Sequence, residues 1–386
     1  MATVKPFQPY RYTSKAGDPA KLLTQPYDKI NPAMQAKYLA ASPYNLVRVI
    51  LGERQSSDNP SHNVYTRAAA HLEEWIREGI LAQDPRPGFY AYSQDFAVPD
   101  TNERATRMGF IGLGKVEDYS AGVVYRHEQT LSGPKKDRLE LLRHTRGHFG
   151  QIFMLYPDRE GSVDEVLAKA ASGAAELDVL DEYGARHRLW PIADQATTQR
   201  MQSLMSDKKL LIADGHHRYE TALAYRNENP GVPGAQHVMM TFVNMYSPGL
   251  KILATHRVLR NAESFQAAAL LAKARGNGWE VREGMPEDGA PGGVVRIGLI
   301  AASRAYVLER ARREGELDVP VLHTEILGGL LGISEESVRD ERFLTYVRGI
   351  EAAVAEVREK GAQAAFLLEP TPIEEMARIA FAGGVM

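Results

Sequence analysis

The segment LLIADGHHRYETAL, residues 210–223, places an apolar run directly before Asp214-Gly215 and a helical pattern directly after it. Gly215 lets another backbone or a ligand come close. The first free N–H groups of a helix starting at His216, the imidazoles of His216 and His217, and the Arg218 guanidinium could converge on one point. Unpaired donors, the positive end of a helix dipole and a planar bidentate cation together make a phosphate site. In the competing reading Asp214 only caps the helix, for ~1 kcal/mol. Cations at a helix N-terminus oppose the dipole, so structure alone gives a poor reason for placing three there. A zinc site is not expected, because adjacent helical residues point about 100° apart and no His-x-x-x-His spacing is present here.

A second stretch, YRHEQTLSGPKKDRLELLRHT at 125–145, sets His127 and Glu128 at the end of a strand-like run. Lys135, Lys136, Asp137 and Arg138 then open a helix. This is no HExxH motif, since Leu131 stands where the second histidine would be. A strand-end Glu beside basic residues can be a general base, a metal ligand or an ion-pair partner. On spacing alone the ion pair is favoured. Gln25-Pro26-Tyr27-Asp28 reads as a turn, with the carboxylate able to close it. Gly109–Val116 imitates the first seven places of GxxxxGK[ST]. Val116 supplies no hydroxyl, and the run reads as strand rather than as a loop opening a helix. Neither GxGxxG nor GxSxG is present.

The elements that must position these residues form a mixed pattern without βαβ alternation, which points to an α+β fold. Helices are expected near 64–78, 136–145, 163–177, 196–207, 215–229, 264–278, 324–331, 348–360 and 373–384. Strands are expected at 89–96, 107–117, 122–131, 151–156, 186–192, 209–214, 237–245, 250–259, 279–283, 294–300, 305–309 and 364–369. The first three strands read as antiparallel neighbours because their connections are short. Residues 1–60 read as an irregular, Pro-punctuated arm whose aromatics favour packing over disorder.

Composition narrows the function classes. The 386 residues are 44% hydrophobic and 25% charged, an ordinary globular balance. A formal charge of −3 argues against a general nucleic-acid-coating surface. Absence of cysteine removes disulfides, iron–sulfur clusters and thiol catalysis. Without an apolar signal region or an ~18-residue apolar run, neither a signal peptide nor a membrane span is expected. A cytoplasmic protein with no membrane or nucleic-acid partner is the expectation. The oligomeric state stays open, a dimer included.

Pro26-Tyr27-Asp28, Asn45, His127-Glu128, Lys136-Asp137-Arg138, Asp214-Gly215-His216-His217-Arg218 and Pro370-Thr371-Pro372 occur in this order. In that order they resemble the uncharacterised-domain family numbered 1015, over nearly the whole chain. The DGHHR core is similar to the phosphate-gripping turn of the ParB/sulfiredoxin-like fold, and free serine kinases are similar at this motif. The chain departs from the resemblance in being far longer than a minimal ParB-like domain. It also stops at Gly384-Val385-Met386, where family members usually continue through Met-Pro-x-Lys-Ser-Thr and an aromatic tail; the expectation is either a truncated sequence or a shortened tail, and any site role of that Lys and Ser would then be missing.

The resemblance implies an α+β fold with a mixed sheet and a ParB/sulfiredoxin-like strand–turn–helix nucleotide-binding unit. The expected organisation is an N-terminal region, 1–190, and a ParB/sulfiredoxin-like region with a C-terminal extension, 191–386. The implied reaction is phosphoryl transfer from ATP or ADP, with Mg²⁺, to the hydroxyl of a free amino acid, L-serine first. Gly215, His216, His217 and Arg218 would bind the nucleotide phosphates. Asp214 would cap the helix or associate with Mg²⁺. Glu128 would take the hydroxyl proton, with Asp28 as rival, and Lys136, Arg138 and Asn45 would bind substrate. A nucleotide-sensing protein without chemistry and a nucleotide or phosphoester hydrolase remain alternatives.

Overall fold

A computed structural model describes residues 1–99, 101–127, 133–262, 264–287, 293–339 and 342–384. The chain forms two compact units. The first holds Met1–Ala97, Glu103–Leu250 and the C-terminal stretch from Ala377; the second holds Lys251–Met376 with Val98–Asn102.

The strands of the first unit are β1 (Val4–Lys5), β2 (Tyr10–Tyr12), β3 (Leu81–Gln83), β4 (Phe89–Ala97), β5 (Arg104–Lys115), β6 (Val124–Tyr125), β7 (Ile152–Tyr156), β8 (Leu177–Leu180), β9 (Arg186–Ile192), β10 (Leu210–Asp214) and β11 (His237–Asn244). Nine of them make one mixed sheet in the order β6-β10-β7-β11-β5-β4-β9-β8, with β1 on the end of β5. β10 runs parallel to β6, and β11 parallel to β7; the other pairs are antiparallel. β2 and β3 pair separately. The expected 190/191 division falls inside β9, a member of this sheet.

The helices of this unit are α1 (Pro32–Ala41), α2 (Val47–Ile50), α3 (Val64–Arg77), α4 (Gly133–Thr145), α5 (Ser162–Ala170), α6 (Gln195–Met205) and α7 (His216–Glu228). α3 starts at a reciprocal cap: the Asn63 side chain accepts from the Tyr65 and Thr66 amides, and the Thr66 hydroxyl accepts from the Asn63 amide. One face of the sheet presents Phe89, Ala91, Phe110, Met154, Ile212 and Phe242 to Leu167 of α5, Met201 and Met205 of α6, and Tyr219 of α7. Fully burying side chains of this size stabilises by roughly 1.5–3 kcal/mol each. Cross-strand pairing assigns the opposite face. Tyr92 stands opposite Gly109, Gln94 opposite Arg107, Phe153 opposite Thr241, and Asp214 opposite Phe153.

The second unit is an antiparallel sheet of β12 (Thr255–Leu259), β13 (Glu280–Glu283), β14 (Val294–Ala301), β15 (Arg304–Ala311), β16 (Leu344–Arg348) and β17 (Ala364–Leu368). Their order is β13-β15-β14-β17-β12-β16. Helices 267–276 and 350–358 and a π-helix over Leu322–Leu330 belong to this unit.

Several local expectations change. Of the strand expected over 122–131, residues 128–131 lie outside the described residues; among the described ones β6 covers Val124–Tyr125 and joins β10, not β5, because both sides of β5 are taken by β4, β1 and β11. The helix expected over 163–177 stops at Ala170, and β8 follows. The strand expected over 250–259 begins at Thr255. Residues 1–60 are not wholly irregular. Pro32 occupies the first turn of α1, where its missing N–H is no loss, and the Asn31 side chain caps the Met34 amide. A proline read as a breaker was a helix start.

Gly109 lacks a side chain for a steric reason. A Cβ there would lie 2.4 Å from the Phe242 carbonyl oxygen and 2.7 Å from a Val243 methyl group. Gly109→Ala is expected to destabilise by about 1–3 kcal/mol, the range for overpacking. Gly231→Ala, with nothing within 4 Å, should be near neutral. Thermal melts of the two variants make the comparison.

Candidate functional site

The site is built at the end of β10. Ile212 pairs with Met154 and faces the core, yet Asp214 pairs with Phe153, one residue back along β7. Side chains alternate along a strand, so without this shift Asp214 would share the face of Ile212 and enter the core. The bulge sends it to the open face. Gly215 then adopts φ +96°, a left-handed conformation that favours glycine, and α7 begins at His216.

Among the described residues no side chain caps α7, which corrects the expectation that Asp214 might do so: the cap position is Gly215 itself. Tyr219 makes the first helical hydrogen bond, to the Gly215 carbonyl, 2.9 Å away. The His217 and Arg218 amides therefore lie ahead of the helical ladder, as donors of a helix N-terminus.

Arg218 folds back under this turn. Its guanidinium donates to the Asp214 carboxylate and to the Gln151 carbonyl. A Cβ on Gly215 would sit 3.0 Å from its Nε, and one on Gly150 3.2 Å from its Cδ. The same cation thus ties β10, the entry to β7 and the start of α7. Asp214 remains 60% exposed at its side chain, whereas Arg218 is 17% exposed. His216 is buried, with its ring edge-on to that of His127 at 4.7 Å between centroids. His127 Nδ1 donates to the Ile212 carbonyl at 2.8 Å. His217 is half-buried.

The Pro26-Tyr27-Asp28 segment comes to the same place. Tyr27 lies under the Arg138 guanidinium, 4.2 Å from ring centroid to cation. Burial pushes its phenol up, while the charges of Arg138 and Arg218 act in the opposite direction. Arg138 donates to Asp137 at 2.9 Å and to the Ile50 carbonyl at 2.6 Å. Burial raises the Asp137 carboxyl, but Arg138, Tyr65 and Arg54 together outweigh it and hold that carboxyl below its ordinary range. Asp28 is exposed beside Tyr27.

The other expected site residues separate. Asn45 is fully buried; its amide donates to the Lys21 and Leu23 carbonyls and its oxygen accepts from the Val47 amide. It holds the turn into α2. Lys136 is exposed on the rim of an open cleft of about 450 Å³, lined also by Arg54, Tyr65, Glu140 and His144. Glu128 lies outside the described residues. Lys115 ends β5 in an ion pair with Glu117 at 2.7 Å, and β5 runs through Gly109–Lys115, so the P-loop imitation is strand, as its missing hydroxyl indicated.

Among the described residues no group of three or more His, Cys, Asp and Glu side chains could hold a metal. Asp214 offers a single exposed carboxylate. That suits Mg²⁺, which is commonly held by one or two carboxylates plus substrate phosphates. Sequence reasoning passed over Arg107, Gln151, Tyr92, Thr241 and His148. Only cross-strand register brings the first four together, and no local motif marks them.

A protein-family profile described as "Protein of unknown function (DUF1015)" matches residues 4–327. No curated protein matches the chain. Among solved structures, a free serine kinase in complex with AMP aligns with 13% identity, 68% coverage of this chain, 80% of that chain, and a TM-score of 0.36. A conserved hypothetical protein from Pyrococcus furiosus aligns with 14% identity, 68% and 83% coverage, and a TM-score of 0.35. SbnI with a C-terminal truncation, from Staphylococcus aureus, aligns with 10% identity, 72% and 79% coverage, and a TM-score of 0.34.

His148, in the turn between α4 and β7, yields a pH prediction. Burial pushes its imidazole down to about 4, against about 6.5 in an unfolded chain. Above that unfolded value both states are neutral, and His148 adds no pH dependence. As the pH falls from about 6.5 towards 4 the unfolded chain binds the proton first, so stability declines, and the decline ends below the folded value. Urea midpoints measured from pH 4 to 8 should show this slope, and His148→Gln should flatten that part of it.

Proposed function

The chain belongs to the DUF1015 family, and from that premise we propose that it transfers a phosphoryl group from ATP or ADP to the hydroxyl of a free amino acid, L-serine first. The observation that carries the reading is the β10–Gly215–α7 junction. An uncapped helix N-terminus, a left-handed glycine and an arginine folded beneath it meet beside an exposed carboxylate. Its likeness to the ParB/sulfiredoxin-like turn is one of sequence motif. Positioning and charge neutralisation are what phosphoryl transfer chiefly requires.

The amides of His217 and Arg218, with the helix dipole, would receive the terminal phosphate. His216 and His217 would border it. Mg²⁺ arriving with the nucleotide would take its protein carboxylate from Asp214 and neutralise phosphate charge. The acceptor oxygen forms the new P–O bond as the donor's terminal bridging P–O bond breaks, releasing the shortened nucleotide. The acceptor proton passes to a carboxylate, Glu128 in this reading, with Asp28 as the rival. His127, the neighbour of Glu128 in sequence, packs against His216, and Asp28 follows Tyr27, which lies under Arg138. Arg138 is engaged with Asp137, Ile50 and Tyr27 and acts as a positioning residue.

Phosphorus NMR with ATP or ADP, Mg²⁺ and L-serine should show donor consumption matched by a new phosphomonoester. Consumption without acceptor would make the protein a hydrolase. Saturable nucleotide binding without turnover across an acceptor panel would make it a sensor. Arg218→Ala removes the side chain that braces Asp214 and the Gly215 turn, and should weaken nucleotide binding by ~1.5–3 kcal/mol, the range for losing a hydrogen bond to a charged group. Unchanged affinity would remove the phosphate grip. Glu128→Gln keeps the side chain's size but accepts no proton, and should lower turnover ~10²–10⁴-fold with little change in nucleotide affinity. Near-normal turnover would pass the role to Asp28, to be checked with Asp28→Asn.

A further inference from the structure

The open face of the first-unit sheet holds a cavity of about 220 Å³ lined by Tyr92, Arg107, Gly109, Gln151, Thr241 and Asp214, with Phe153 and Val243 as its apolar wall. Pockets for drug-sized ligands occupy about 300–1,000 Å³, so this one suits a molecule much smaller than a nucleotide. Its register explains its shape. Tyr92 and Gly109 are directly opposed on β4 and β5, and the missing side chain of Gly109 lets the Phe242 carbonyl and Val243 of β11 come close. Phe153 and Thr241 are directly opposed on β7 and β11, and Phe153 is also the partner of Asp214.

Arg107 reaches across β11 and lies over the Phe153 ring, 4.8 Å from its centroid, and over Phe96 at 5.7 Å. It donates to the Gln94 side-chain oxygen. Among the described residues no carboxylate pairs with it. Burial lowers its readiness to hold a proton, and the one ionisable group acting against that is the Tyr92 phenol. Tyr92 is itself pushed up to about 12 by burial, and its hydroxyl is bonded to His187 Nδ1 at 2.6 Å. It is neutral at ordinary pH and supplies no counter-charge. An arginine is always protonated in practice, and Arg107 is half-buried; a guanidinium partly withdrawn from water is normally paired. A guanidinium set on two aromatic rings with no carboxylate beside it is a fork left open to an anion.

The rest of the lining adds polarity. The Thr241 hydroxyl donates to Gln151 Oε1, so the Gln151 amide oxygen is occupied, while its Nε2 has no partner among the described residues. The Gln151 carbonyl holds Arg218. The cavity therefore joins the phosphate-binding turn through two residues, Asp214 and Gln151.

We infer that this cavity seats the acceptor and that Arg107 binds its carboxylate, which places the acceptor among small hydroxylated carboxylates. The inference rests on the phosphoryl-transfer reading for the word acceptor; carboxylate binding at Arg107 stands or falls separately. A short hydroxy acid with its carboxylate on Arg107 directs its other end towards Asp214 and the Gly215 turn. Arg138, whose guanidinium is already engaged, is then not needed for the substrate carboxylate.

The test is equilibrium binding to the full chain, without and with ADP, of L-serine, L-homoserine and D-glycerate against ethanolamine, which is L-serine without its carboxylate. Expected are saturable binding of at least one carboxylate, at least tenfold weaker binding of ethanolamine, and a tenfold or greater loss for that carboxylate in Arg107→Gln. ADP affinity should be unchanged in that variant. Arg107→Lys keeps the charge but not the fork, and should fall between the two. It also serves if the Gln variant does not fold. Equal binding of ethanolamine, undiminished carboxylate binding in either variant, or no saturable binding of any of the three carboxylates would overturn the inference. Absent ADP binding in the same samples would instead count against the phosphate turn, and absent turnover with intact carboxylate binding against the phosphoryl-transfer reading.

Discussion

The register shift between Ile212 and Asp214 is the constraint from which the site follows. One extra residue in β10 leaves Ile212 in the core and delivers Asp214 to the other face. The next residue, Gly215, turns left-handed, which reverses the path within one peptide and starts α7. Arg218, one helical turn further on, is then close enough to fold back onto Asp214 and Gln151. A Cβ at Gly215 would meet the guanidinium and also carry left-handed strain, so glycine is required there twice over.

The junction is held by packing more than by charge. Tyr219 is fully buried against the core, and its hydroxyl donates to the Glu117 carbonyl at 2.7 Å while accepting from the Glu117 amide at 2.9 Å. That fixes α7 against the end of β5. Ion pairs follow the same contacts: Glu220 of α7 with Lys135 and Arg126, and Arg143 of α4 with Glu228. The Arg143–Glu228 pair is exposed and worth about 0–1 kcal/mol, so it orients α4 on α7 more than it stabilises it. Through Arg138, α4 also fastens the Tyr27 segment and the Ile50 carbonyl.

The two faces of one sheet do different work. On one, Phe110 stacks on Phe242 at 4.7 Å and meets Phe89 edge-on at 5.5 Å, under α5, α6 and α7. On the other, alternation places Tyr92, Gln94, Arg107 and Thr241, and the bulge in β10 adds Asp214. A rigid apolar side lets the polar side hold its groups at set positions, which is what preorganised binding needs.

The sequence by itself determined the α+β class, the absence of thiol chemistry, most element positions and the strand–Gly–helix junction at 210–229. These are local: apolar periodicity, a glycine and a run of chemically distinctive residues are visible without knowing what packs where. It also excluded the P-loop imitation, because a missing hydroxyl is a local fact. Tertiary structure alone decided that Arg218 pairs with Asp214, that Tyr27 lies under Arg138, that Asn45 is buried within a turn, and that Arg107 shares a cavity with Asp214. Each depends on which strands become neighbours and in what register. Arg107 and Asp214 are far apart in the chain, and they line one cavity only because β5, β11, β7 and β10 lie side by side and a one-residue bulge turns Asp214 to their face. Register is a property of paired strands, so neither strand's sequence carries it alone.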